Sequence, residues 1–274
     1  MTKKRLKLKK KNLLLFIGFI VLTILFIYSI VNIIIWSIDS KKTDDIIKSV
    51  NDISEVVEVE DTSDTQIIPT DDVSKDNPYW DYIKMNMIDV NFDKLLELNS
   101  DTKGWIQVKG TNINYPFVQA KDNDYYLKRS FNKSYNQAGW VFLDFRNNYT
   151  DNKNTIIYAH GRTDTTMFGS LKNILKSDWL KNEDNYVVKI ATPHEISLWQ
   201  VFSIYRIPTT SDYIKTEFKS DDDFIDFTKM LIARSAYSFN TSVLEDDKIL
   251  TLSTCYNDFE KVVMHAKLIK KSRK

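Results

Sequence analysis

The chain has 274 residues with 38 Lys and Arg against 37 Asp and Glu, so its net charge is close to zero and no basic patch points to a nucleic-acid partner. Six glycines leave little material for a phosphate-cradling loop, and the single cysteine rules out both a disulfide framework and a zinc site of Cys/His spacing. No cofactor or metal is therefore expected.

The neutral total hides a segregation along the chain. Residues 1–12 carry Lys3, Lys4, Arg5, Lys7, Lys9, Lys10 and Lys11 with no acidic residue. From Leu13 to Trp36 the chain is uncharged and mostly apolar. At a helical rise of about 1.5 Å per residue it is long enough to cross a hydrocarbon core of about 30 Å. A cleaved signal peptide would need a shorter apolar core and a small-x-small site, and Ser29-Ile30-Val31-Asn32 is a poor one. The expectation is an uncleaved single-pass anchor over 13–36, with the basic end cytoplasmic and the rest extracellular. Residues 37–77 follow as an acidic linker, since Asp39 to Asn77 holds twelve Asp and Glu against four Lys. Such a segment buries little by itself and reads as a flexible tether.

Residues 78–274 are long enough for one catalytic domain with a substantial core. Pro78–Met87 and Asn91–Leu98 read as two short helices, the second with Phe92, Leu95, Leu96 and Leu98 as its apolar side. Strands are predicted at Trp105–Val108, Asn112–Gln119, Trp140–Leu143, Asn154–His160, Tyr186–Ala191, Ile196–Arg206, Lys248–Cys255 and Val262–Lys270. Between the sixth and seventh, Phe224, Phe227, Met230, Leu231 and Arg234 recur at helical spacing, so this connection contains a helix over Asp221–Ala236. The fold class is mainly β, and eight strands punctuated by turns suggest a closed barrel or sandwich, with closure protecting the sheet edges.

The only cysteine closes a strand. In Lys248–Cys255, Leu250, Leu252 and Thr254 alternate with Thr251, Ser253 and Cys255, which places the thiol on the face expected to point away from the core. Free cysteines are usually buried and inert. What changes the reading here is a partner upstream: Asn154–His160 is another short apolar strand, and it ends in an imidazole followed by Gly161. A thiol and an imidazole, far apart in sequence and each closing a strand, form the pattern of a Cys–His nucleophile pair.

GWIQVKGTNINYPFVQAKDNDYYLKRSF, NTIIYAHGRTDTTMFGSLK, TLSTC and VVMHAKL, in that order, resemble a class B sortase from about Tyr79 to Lys271. The resemblance implies a closed eight-stranded sortase barrel and transpeptidation. Cys255 would attack a sorting motif of a surface protein and form a thioester, with His160 as acid and then base. The acyl group would pass to an amine of a peptidoglycan precursor or a pilin. Relatives often take an Asn-Pro-Gln-Thr-Asn-like signal, and some read Leu-Pro-x-Thr-Gly-like variants.

The family also uses an arginine on the strand after the cysteine, and here the aligned position is Lys261. No arginine lies between Cys255 and Lys271, and Arg273 sits close to the carboxyl end. Lysine keeps the charge but loses the planar fork. Either Lys261 substitutes, or Arg206 or Arg162 folds in from another strand. Ser253 and Tyr205 are candidate substrate contacts, Ser253 for a peptide backbone and Tyr205 beside Arg206 along a groove. His265 is expected to be an exposed strand histidine, Met167-Phe168 to pack the loop behind His160, and Asn123–Tyr126 to form a tight turn. An ordinary cysteine peptidase and a sortase-shaped binding protein with impaired catalysis are the competing readings, and a pilus-assembling sortase is an alternative within the sortase reading.

Overall fold

The computed structural model describes residues 10–148 and 151–274, and the chain divides into two units, residues 1–44 and 45–274. Helix α1 (Lys10–Ile53) begins in the first. Its apolar side chains from Leu13 to Ile38 are exposed, and it is long and apolar enough to cross a membrane. Three of the polar side chains in this stretch bond back onto the helix. Thr23, Ser29 and Asn32 each donate to the carbonyl four residues back, as a helix in apolar surroundings requires.

The second unit takes in the end of α1 and continues with β1 (Val56–Val59) and β2 (Thr65–Ile67), then α2 (Tyr79–Tyr82), β3 (Met87–Val90) and α3 (Asp93–Leu98). The acidic segment thus differs from the flexible tether expected of it. β1 pairs antiparallel with β3, and β2 adds to the edge of the last strand. The acids find buried lysines. Lys189 Nζ is 2.6 Å from Glu58, and Lys270 Nζ is 2.7 Å from Asp61 while also donating to the carbonyls of Ile83 and Met85. The hydrogen bond and charge of Lys189 hold the Glu58 carboxyl below its usual range. The expected helix over Pro78–Met87 is a single turn, because Met87 and Ile88 are drawn into the β1–β3 pair and buried there.

The strands that follow are β4 (Thr102–Val108), β5 (Asn114–Val118), β6 (Phe142–Leu143), β7 (Asn154–Tyr158), β8 (Val187–Ala191), β9 (Glu195–Pro208), β10 (Ile249–Cys255) and β11 (Glu260–Arg273). They match the eight predicted segments. Their order is β10-β7-β6-β5-β4-β8-β9-β11, and β11 pairs back to β10, so the ring closes as a mainly β eight-stranded barrel. Only two contacts in the ring are parallel, β7–β10 and β5–β6. Two helices lie in the connections, α4 (Ser177–Leu180) and α5 (Asp221–Ala233). The barrel interior is filled by side chains such as Trp105, Phe117, Ile157, Leu250, Leu252 and Met264.

A second apolar layer lies outside the ring, under α5. Ser220 caps this helix by accepting from the Asp223 amide, and Asp221, Asp222 and Asp223 sit in its first turn, where the helix dipole favours them. Phe224, Phe227, Thr228 and Leu231, at i, i+3, i+4 and i+7, form its buried face. They pack with Phe202, Tyr205, Tyr213, Ile249 and Val263 from the strands and a loop. The outer face of β10, expected to face solvent, is therefore covered: Thr251 and Ser253 are buried, and the face reaches solvent only near Cys255, which is half-buried.

Candidate active site

Strand pairing brings the ends of the two candidate strands together. β7 and β10 run parallel with Ser253 beside Tyr158 as their last pair, and Cys255 and His160 each follow two residues beyond it. The strand ends are pressed close. Thr254 Oγ1 donates to the Ala159 carbonyl at 2.8 Å, and a β-carbon on Gly161 would stand 2.0 Å from the Cys255 carbonyl oxygen. Only glycine permits that approach. On the other side of the imidazole, Gly139 adopts φ +61°, and a β-carbon there would meet His160 Cδ2 at 3.1 Å.

The imidazole is fixed by backbone groups from two loops. His160 Nε2 lies 2.8 Å from the Leu127 carbonyl. A carbonyl only accepts, so Nε2 carries the proton and Nδ1 is left to exchange one with a reacting group. The Phe168 amide donates to the His160 carbonyl, and Met167 and Phe168 are fully buried under the loop, as expected of them. The loop that supplies Leu127 is anchored through Asn123, which donates to Asp144 Oδ2 and accepts from the Phe145 amide. Asp144 is fully buried. Burial raises its affinity for a proton, but the Arg146 fork, the Arg146 amide, Tyr158 and Asn123 together outweigh this and hold it below the usual carboxylate range.

Lys261 stands directly opposite Cys255 in the β10–β11 hairpin, a cross-strand pair whose side chains share a face. Its Nζ donates to Cys255 Sγ at 2.9 Å. The two arginines considered as substitutes are engaged elsewhere. Arg206 pairs with Glu260 at 2.8 Å and lies over the Tyr256 ring, and Arg162 is forked onto Asp164. Arg273 lies at the far end of β11, opposite Glu195.

Ser253 and Tyr205 are buried rather than lining an open groove. The Ser253 hydroxyl is 2.9 Å from that of Tyr213, and the Tyr205 hydroxyl is 2.8 Å from His265 Nε2. His265 corrects another expectation, being fully buried under α5. Thr251 donates to Asn154 and so accepts from His265 Nδ1, leaving Nε2 to accept from Tyr205. Burial, with the charge of Arg234, pushes its pKa down to about 3. Tyr213 and the Leu127 carbonyl escaped the sequence reading. A backbone carbonyl carries no residue-type signal, and Tyr213 reaches β10 only through the tertiary fold.

Among the described residues no group of three or more His, Cys, Asp or Glu converges to hold a metal. A cavity of about 870 Å³ lies at the other end of β10, near Lys248, Trp199 and Leu268, away from the thiol.

At this end of the closed barrel lie a half-buried thiol with an amine on it and, at the neighbouring strand end, an imidazole held by a backbone carbonyl, groups of the kind that cysteine acyl transfer uses. A family profile described as "Sortase domain" matches residues 106–269, and the chain belongs to that family, as a class B sortase and cysteine transpeptidase. It is 38% identical over 183 residues to sortase B of Listeria monocytogenes, spanning 65% of this chain and 73% of that one. The structure of sortase B from B. anthracis in complex with AAEK1 superposes with TM-score 0.66 at 32% identity, over 85% of this chain and 99% of that one. The Staphylococcus aureus sortase B–substrate complex does so with TM-score 0.61 at 35% identity, over 65% and 84%.

Proposed function

We propose that Cys255 is the nucleophile, His160 the acid and base, and Lys261 the cation that serves the sulfur and the oxyanion. Cys255 Sγ gives its proton to His160 Nδ1 and attacks the scissile carbonyl of a sorting motif. The tetrahedral oxyanion collapses as His160 gives its proton to the departing amine, and a thioester remains. An amine from a peptidoglycan precursor or a pilin then attacks, His160 takes its proton, and a new amide releases the thiol. Positioned acid–base catalysis of this kind contributes about 10²–10⁴-fold. The thioester conserves the energy of the broken bond, so the joining step needs no nucleotide.

The observation that carries this reading is the 2.9 Å contact of Lys261 Nζ with Cys255 Sγ, at strand ends that also hold His160. With a lysine in place of a planar fork, the oxyanion loses fixed donors, and a missing donor costs about 2.7–4 kcal/mol in other acyl-transfer enzymes. A slow enzyme is expected, and Lys261→Arg should accelerate acylation while Lys261→Ala slows it. The barrel would work outside the cell on a single-pass anchor over residues 13–36, with the lysines of residues 3–11 held in the cytoplasm. Residues 78–274 would form the catalytic domain.

The test is to incubate the full chain, in detergent, with Asn-Pro-Gln-Thr-Asn-like and Leu-Pro-x-Thr-Gly-like peptides and to weigh the intact protein. A hydroxylamine-labile adduct on Cys255 that an added amine discharges as a peptide–amine product is the expected result. Adduct formation in Cys255→Ala, or discharge to water alone with amines ignored, would sink the reading.

A further inference from the structure

Lys261 brings a second chemistry to the site, because a primary amine is a nucleophile as well as a cation. Its Nζ lies 2.9 Å from the sulfur, the hairpin register holds the two residues opposite each other, and both are half-buried. Its one described hydrogen bond is to that sulfur, and among the described residues no carboxylate forms an ion pair with it. A carbonyl carbon bonded to Cys255 Sγ is one bond further out, so the amine and an acyl group on the sulfur start as immediate neighbours.

We propose that Lys261 is an internal acceptor, so that an acyl group on Cys255 passes to the Lys261 ε-amine. This rests on the Cys255 acyl-enzyme of the preceding subsection. The unprotonated nitrogen attacks the thioester carbonyl, the carbon–nitrogen bond forms and the carbon–sulfur bond breaks. The nitrogen gives up one proton and the departing sulfur gains one, so the products are an amide on Lys261 and a free thiol on Cys255. Nothing is oxidised or reduced and no co-reactant is needed.

Proximity decides whether this competes with an external amine. Well-oriented intramolecular reactions reach effective concentrations of about 10⁵–10⁸ M, far above any soluble acceptor. Protonation of the amine and imperfect alignment reduce this advantage but start from a large one. A guanidinium at the same place would donate the same hydrogen bond and, remaining protonated, would not attack. The amide is stable where the thioester was not. It also removes the positive charge beside the thiol, so each transfer disables the molecule in which it occurs. The enzyme would therefore be self-limiting, retaining its substrate's acyl portion on its own β11 when acceptor is scarce.

The full chain is treated with a small acetyl thioester, which charges the thiol by exchange whatever the sorting motif. Acylated protein is then treated with hydroxylamine, and the adduct is located by peptide mass mapping. The expected result is a labile acetyl group on Cys255 that gives way to a resistant one on Lys261, with Cys255 again open to alkylation. Cys255→Ala should lose the Lys261 adduct entirely. Lys261→Arg, checked for folding by alkylation of its thiol, should keep its acetyl group labile.

An acetyl group that stays on Cys255 in the unaltered chain, or equal acetylation of Lys261 in Cys255→Ala, overturns the proposal. So does a thiol that the thioester never charges. Sorting peptides that fail to charge Cys255 while acetyl still moves to Lys261 would instead count against the transpeptidase reading alone.

Discussion

At the scale of single residues, the site depends on contacts too close to survive small changes. Gly161 is the clearest, because a β-carbon there would stand 2.0 Å from the Cys255 carbonyl oxygen, a backbone atom that cannot swing aside. Gly161→Ala must push apart the ends of β7 and β10, and with them the imidazole and the thiol. A displacement of about 1 Å can cost about 10²-fold in rate, and acylation of Cys255 is expected to slow by that order. Acylation at the unaltered rate would show that the approach does not set the geometry. His265 gives a pH prediction. Its folded pKa, near 3, lies below the unfolded value of about 6.5. The unfolded chain therefore binds the extra proton first, and stability is present above about pH 6.5 and lost as pH falls toward 3. Urea unfolding should show a slope of up to about 1.4 kcal/mol per pH unit in that window, and His265→Gln should remove that part of the slope. The Asp144 carboxylate, held low, adds a loss only at more acid pH, below its unfolded pKa of about 3.9.

At the scale of elements, α5 keeps the cysteine strand between two apolar layers. Phe224 is fully buried against the outer face of the barrel, with Phe202, Ile249 and Val263 in the same cluster. Phe224→Ala should cost about 3–5 kcal/mol of unfolding free energy, and a loss under about 1 kcal/mol would mean that α5 docks weakly. The spacing of Phe224, Phe227 and Leu231 made this helix legible, as did the Asp run at its start. Its docking site was not legible. Thr251, Ser253 and His265 look like a solvent face by alternation, and only a helix arriving from outside the ring turns them into a buried hydrogen-bonded layer.

At the scale of the whole molecule, the second unit includes more than the barrel. β1 and β2 bring Glu58 and Asp61 to Lys189 and Lys270, whose side chains are otherwise buried. A fragment starting at Tyr79 loses both carboxylates and both strands. It should unfold at lower denaturant than one starting at Asp45, by about 2 kcal/mol or more, since a buried cation stripped of its partner is costly. Equal midpoints would return the acidic segment to the role of a tether.

The sequence determined what repeats locally or depends on residue type: the apolar run of α1, eight alternating strands, the amphipathic stripe of α5, and a thiol and an imidazole each closing a strand. Those signals are carried by neighbours two to four residues apart, so they can be read without knowing the fold. Tertiary structure decided what depends on residues meeting across the chain. The parallel pairing of β7 and β10 brought the strand ends that lead into His160 and Cys255 side by side, and the hairpin set Lys261 on the sulfur while Arg206 and Arg162 were held by other acids. It also folded an acidic stretch that has no core of its own, because the lysines that neutralise it lie more than a hundred residues further along.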